Sequence, residues 1–112
     1  MKNNIIRILR NYAKPSGDVP FLKWLNSLKD LVTRLRIRRR LDRVEQGNFG
    51  DCEPVGDGIS ELRLFFGSGY RIYIAEWDDA IIILLCAGDK SSQKKDTTLA
   101  KSYWHELKER SK

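Results

Sequence analysis

Arg63 and Arg71 flank the segment Gly67, Ser68 and Gly69, in a stretch otherwise empty of basic residues. Between Asn48 and Gly88 the chain holds those two arginines and seven acids, so each positive charge is isolated. Glu61–Phe66 and Tyr70–Glu76 alternate apolar with polar residues on either side of the glycine-containing link, which predicts a β-hairpin. Alternation then puts Leu62 and Leu64 on one face and Glu61, Arg63 and Phe65 on the other, while Ile72 and Ile74 oppose Arg71 and Tyr73. Both arginines fall on the non-core face of one hairpin. Two readings follow: a specific anion site, or an ordinary ion pair between Arg63 and Glu61, Glu76 or another strand's acid.

A second concentration of positive charge lies upstream. A helix is expected from about Asp30 to Gln46, stopped at Gly47 and Asn48. On it Arg36, Arg39, Arg40 and Arg43 are spaced three, four and seven apart, one cationic stripe on a flank away from Ile37, Leu41 and Val44. Such a stripe is usually a solvated face. Six arginines between positions 34 and 43 exceed what solubility needs, and a planar guanidinium suits phosphate better than an ammonium does. The helix is therefore read as RNA-facing or ribosome-facing.

The 112 residues make one domain, 1–112, with room for a single core. The net charge of +6 is unevenly spread: residues 1–47 carry 12 basic and 4 acidic groups, residues 48–88 carry 2 and 7, and residues 89–112 carry 7 and 4. Basic flanks around an acidic middle point to a polyanionic partner. No apolar run reaches the length of a membrane span and the N-terminus lacks a signal-peptide core, so a cytoplasmic protein is expected. Cys52 and Cys86 are too few and too far apart for a zinc motif, and neither a metal nor a cofactor is expected.

The elements that must position these charges can be read in order. Ile5–Leu9 reads as a strand. Asp18 is expected to cap a helix that begins at Val19 and Pro20 and buries Phe21, Trp24, Leu25 and Leu28. Ala80–Ala87 is apolar on both faces and should be an interior strand. Gly88–Gln93, G-D-K-S-S-Q, reads as a strand-to-helix junction with Ser91 or Ser92 as N-cap, delivering Lys90 beside the hairpin's polar face. A C-terminal helix is marked by Leu99, Ala100, Tyr103, Trp104 and Leu107, with His105 outside.

Taken together, G-N-F-G-D (Gly47–Asp51), P-V-G (Pro54–Gly56), E-L-R (Glu61–Arg63), G-Y-R-I-Y (Gly69–Tyr73) and G-D-K-S-S-Q resemble the RelE/ParE toxin superfamily, in its HigB-like branch of phage-derived addiction-module killer proteins. The resemblance implies a small α+β fold of RelE type: an antiparallel sheet with two N-terminal helices and a C-terminal helix packed around it. It also implies a type II toxin–antitoxin toxin, a ribosome-dependent, metal-independent endoribonuclease that cleaves messenger RNA and inhibits translation. Its partners would be a HigA-like helix-turn-helix antitoxin, the ribosome and mRNA. By position, Arg71 matches the hairpin arginine that contacts the scissile phosphate, Lys90 matches a basic residue after the last core strand, and Arg63 lies on the strand that supplies catalytic lysines, one position out of step. Asp96 stands where relatives with well-understood chemistry carry a tyrosine.

Cleavage of RNA by its own 2′-hydroxyl requires in-line geometry, a proton acceptor and charge for the developing phosphorane. Arg63, Arg71 and Lys90 supply charge, and Glu61 and Asp96 are the candidate acid and base, with Asp89 adjoining Lys90. Tyr73 and Ser91 join the helical arginines as expected RNA contacts. Two competing functions stay open: a non-cleaving binder of a protein target, as in the gyrase-poisoning ParE branch, and an inactive RNA- or antitoxin-binding module.

Overall fold

The computed structural model describes residues 6–112. The elements run β1 (Ile8–Asn11), α1 (Pro20–Ser27), α2 (Leu31–Glu45), β2 (Cys52–Gly56), β3 (Ile59–Leu64), β4 (Tyr70–Glu76), β5 (Ile81–Gly88) and α3 (Gln93–Arg110), the last entered through a 3₁₀ turn at Lys90–Ser92. One five-stranded sheet has the order β1-β5-β4-β3-β2. The α+β class is as expected, but the sheet is mixed rather than antiparallel. β2 to β5 form an antiparallel meander, and β1 lies parallel to β5, with Ile8 opposite Ile81. The expected first strand began too early. Its pairing starts at Ile8, and Ile5 lies outside the described residues.

Period-2 patterning divides the sheet into two apolar faces. Leu62, Leu64, Ile72, Ile74, Ile82, Leu84 and Ala87 pack under Phe21 of α1 and Ile37, Leu41 and Val44 of α2. Ile59, Tyr73, Ala75, Ile83, Leu85 and Cys86 pack under Ala100 and Trp104 of α3. Burying Ile72 or Ile74 completely stabilises the fold by roughly 1.5–3 kcal/mol each. β5 is covered on both faces, as its continuous apolar run predicts. A bulge opposite Tyr73 and Ile74 interrupts its alternation, so that the adjacent Leu85 and Cys86 both meet α3.

Local chemistry explains the helix ends. Asp30 caps α2 by accepting from the Val32 amide at 3.1 Å and the Thr33 hydroxyl at 2.8 Å. Gly47, at φ +85°, ends the helix in the left-handed conformation that residues with a Cβ avoid. α1 starts at Pro20, but its N-cap is Val19 rather than Asp18, and no side chain caps it. Ser92 is the N-cap of α3 without a capping bond of its own, because Asp89 takes over the junction: its carboxylate accepts from the Ser91 amide at 2.9 Å. No described helix is long and apolar enough to cross a membrane.

Candidate nucleic-acid interface

The hairpin register puts Arg63 directly opposite Arg71, with Glu61 opposite Tyr73. Like charges facing each other across a strand pair are unfavourable unless neutralised. Each arginine here has its own acid. Arg63 donates to Asp51 at 3.0 Å and Glu53 at 3.3 Å, and Asp51 in turn raises its pKa. Arg71 lies 3.7 Å from Glu61 and donates to the Gly69 carbonyl at 2.6 Å. For Arg63 the ion-pair reading therefore applies, with Asp51 and Glu53 as the acids in place of Glu61 or Glu76.

Glu61 is buried at 2% exposure, between the Arg71 guanidinium and the Gln93 amide, which donates to it at 3.1 Å. An acid so enclosed orients Arg71 and does not reach an open surface. Asp96 is also buried, and accepts from the Ser92 hydroxyl under the end of β5. Gly88 is required there, because a Cβ at that position would collide with the Asp96 carboxylate. Asp96 thus closes the strand-to-helix junction and does not stand in the open as an acid or base. Tyr73, expected as an RNA contact, is fully buried beneath α3, since the face opposite α1 and α2 is a second core. Burial raises the pKa of its hydroxyl, which has Thr97 and Glu61 beside it but no hydrogen bond of ordinary geometry among the described residues.

Lys90 and Ser91 are exposed at the end of β5. The Lys90 amide donates to the Ser68 carbonyl at 3.3 Å, and the Ser68 hydroxyl donates to Asp89 at 3.3 Å, tying the hairpin loop to the junction. Asp89 is held below the usual carboxylate range, first by the Ser91 hydroxyl. Gly69 is the pivot of this corner. At φ +73° it lets the chain turn, and a Cβ there would lie 3.4 Å from Arg71 Nη1 and 3.6 Å from Lys90 Cβ. The structure thus gathers Arg71 and Lys90 around one glycine.

The helical stripe is not uniform. Arg36, Arg39 and Arg43 are exposed, whereas Arg40 turns inward and donates to the carbonyls of Arg63 at 2.6 Å, Phe49 at 2.8 Å and Asp51 at 2.8 Å. Burial lowers its pKa. Arg40 therefore fastens α2 to β3 and to the segment before β2, and leaves the expected RNA-contacting set as a structural residue. Beside it opens a groove of ≈ 420 Å³ lined by all four stripe arginines, Asp51, Arg63, Leu64, Phe65 and Phe66. The two charge clusters, separate in sequence, meet at Arg63. Phe65 and Phe66 were not among the candidates, although alternation had already set Phe65 on the face away from the aliphatic core. Among the described residues no group of acids, cysteines or histidines is placed to hold a metal ion.

A small mixed sheet clamped between two helices and one, with an arginine-lined groove at one end, defines the class. Residues 23–103 match the family described as phage derived protein Gp49-like (DUF891), and the chain belongs to that family. It is also 47% identical over 87 residues to an uncharacterized protein of Haemophilus influenzae, a match that spans 78% of this chain and 88% of that protein. This assignment overturns membership of the RelE/ParE superfamily and its HigB-like branch. The motifs behind that resemblance are largely turn chemistry. Gly47, Gly50, Gly56 and Gly69 all have positive φ, and Asp89 and Ser92 build a capping box, so the shared letters report how a small α+β chain turns corners.

Proposed function

We propose that this protein binds RNA and cuts it, acting in the cytoplasm with Arg71 and Lys90 at the scissile phosphate. The observation behind this reading is that the Arg71 guanidinium and the base of the Lys90 side chain both lie against Gly69, next to a groove walled by arginines. In the reaction the RNA's 2′-oxygen bonds to the adjacent phosphorus as its proton passes to water, and the bond to the 5′-oxygen breaks as that oxygen takes up a proton from water. Positive charge fixed beforehand stabilises the phosphorane more than the starting phosphate. The nearby carboxylates are engaged, Glu61 by Arg71 and Gln93, and Asp89 by Ser68 and Ser91. Catalysis on this reading is mainly electrostatic and orientational, with Glu61 a positioning residue for Arg71. The toxin role and the helix-turn-helix antitoxin were implied only by the superseded resemblance and are not carried forward.

Lys90→Gln provides the test, because Lys90 is exposed and its removal strands no buried partner. Single-turnover cleavage of an oligoribonucleotide should slow roughly 10²- to 10³-fold, with affinity nearly unchanged. Equal loss of binding and cutting would make Lys90 a docking residue. Absence of cleavage by the unmodified protein would favour a second reading, a binder that uses the same groove without chemistry.

A further inference from the structure

Phe65 is 79% exposed at the rim of the arginine groove, the most exposed large apolar side chain among the described residues. Its neighbour Phe66 is anchored: Arg36 lies over its ring at 4.2 Å, Tyr70 meets its edge at 5.6 Å, and Trp24 in turn packs on Tyr70 at 5.7 Å. No described ring or cation covers Phe65. The anchored neighbour fixes the start of the loop, so Phe65 is an open aromatic face on a firm base. Below it the groove offers Arg39 and Arg43, neither in a salt bridge among the described residues.

We propose that this groove takes single-stranded RNA, with one unpaired base stacked on Phe65 and the flanking phosphates on Arg39 and Arg43. The charge of the wall selects a polyanion, and the exposed ring selects one whose bases are free. An aromatic platform beside a cationic track is what unpaired strands require, because a base locked in a duplex cannot present its face. The inference rests on the RNA-binding part of the proposed function and names its substrate class.

The experiment compares a short unstructured oligoribonucleotide carrying 2-aminopurine with an RNA hairpin of the same composition, by fluorescence and anisotropy. The unmodified protein should prefer the unstructured strand and quench the 2-aminopurine. Phe65→Ala should weaken that binding roughly 5- to 100-fold and abolish the quench. Its hairpin affinity and salt slope should stay as they were, and Phe65→Trp should retain the preference. Equal affinity of Phe65→Ala and unmodified protein for the unstructured strand, or equal losses on both RNAs, would overturn the assignment. So would a Phe65→Ala effect confined to concentration-dependent self-association in sedimentation, which would make the ring a protein contact. If the unmodified protein binds RNA without preferring the unstructured strand, this inference alone fails; if it binds neither RNA, the proposed function fails with it.

Discussion

The strand arginines and the helix arginines carry the same charge in opposite circumstances. Arg63 and Arg71 are each matched to acids, and Arg71 is largely enclosed, whereas Arg39 and Arg43 project into solvent with no acidic partner among the described residues. A matched, enclosed cation is held in one orientation and acts at one point. Unmatched, exposed cations attract a polyanion from any direction, release its counterions and contribute affinity without geometry. Arg40 belongs to the first class although it sits in the sequence of the second.

The comparison breaks most visibly at Arg71. Arg71→Ala should destabilise the protein by about 3 kcal/mol, because it leaves the buried Glu61 carboxylate without its cation. Adding Glu61→Gln should recover much of that loss, and urea unfolding of the single and double variants measures both. If the single variant is as stable as the unmodified protein, Arg71 is no more fixed than Arg39. Arg40→Ala should cost about 2–3 kcal/mol, since three carbonyl oxygens lose a charged donor together. An exposed arginine of the stripe, such as Arg39, should change stability by less than about 0.5 kcal/mol when replaced by Gln.

Affinity should divide the other way. Arg39→Gln with Arg43→Gln should weaken binding to single-stranded RNA and flatten the plot of log affinity against log salt by about 0.7 for each phosphate left un-neutralised. An unchanged slope would return these two residues to the role of a solvated face. The smallest expected effect lies at the corner that joins the two regions. Asp89 has a folded pKa below its unfolded one, so its contribution is complete above the unfolded carboxyl pKa of about 3.9 and is lost as pH falls through the lower folded value. Below that range the Lys90 amide, bonded to Ser68, should exchange hydrogen faster relative to the core of β5, and Asp89→Asn should remove the pH dependence.

What sequence revealed follows the same physical division. β5 was legible because a short, isoleucine-rich run apolar on both faces lies between turn residues, and α2 because Asp30 and Gly47 bracket it. Alternation showed which hairpin residues share a face, but the face of Tyr73, read as lying outside the core, packs under α3. Arg40 was not separable from Arg39, because helical spacing locates a side chain to within about one position around the helix. What turns Arg40 inward is three carbonyl oxygens contributed by segments far along the chain. Tyr73 and Asp96 were read as accessible because no local signal says that α3 returns to cover them. The parallel pairing of β1 was hidden for a related reason, since strand neighbours as distant in sequence as Ile8 and Ile81 leave no mark on nearby residues.

That parallel pairing also has a consequence for how the chain is made. β1 precedes every other described strand along the chain, but its partner in the sheet is β5, the last of them. Pairs so distant in sequence form slowly, because closing the long intervening loop precedes any reward from the pairing. The meander from β2 to β5 can assemble from neighbouring segments, while β1 remains without its strand partner until β5 has left the ribosome. The first of the described strands is therefore among the last to find its place.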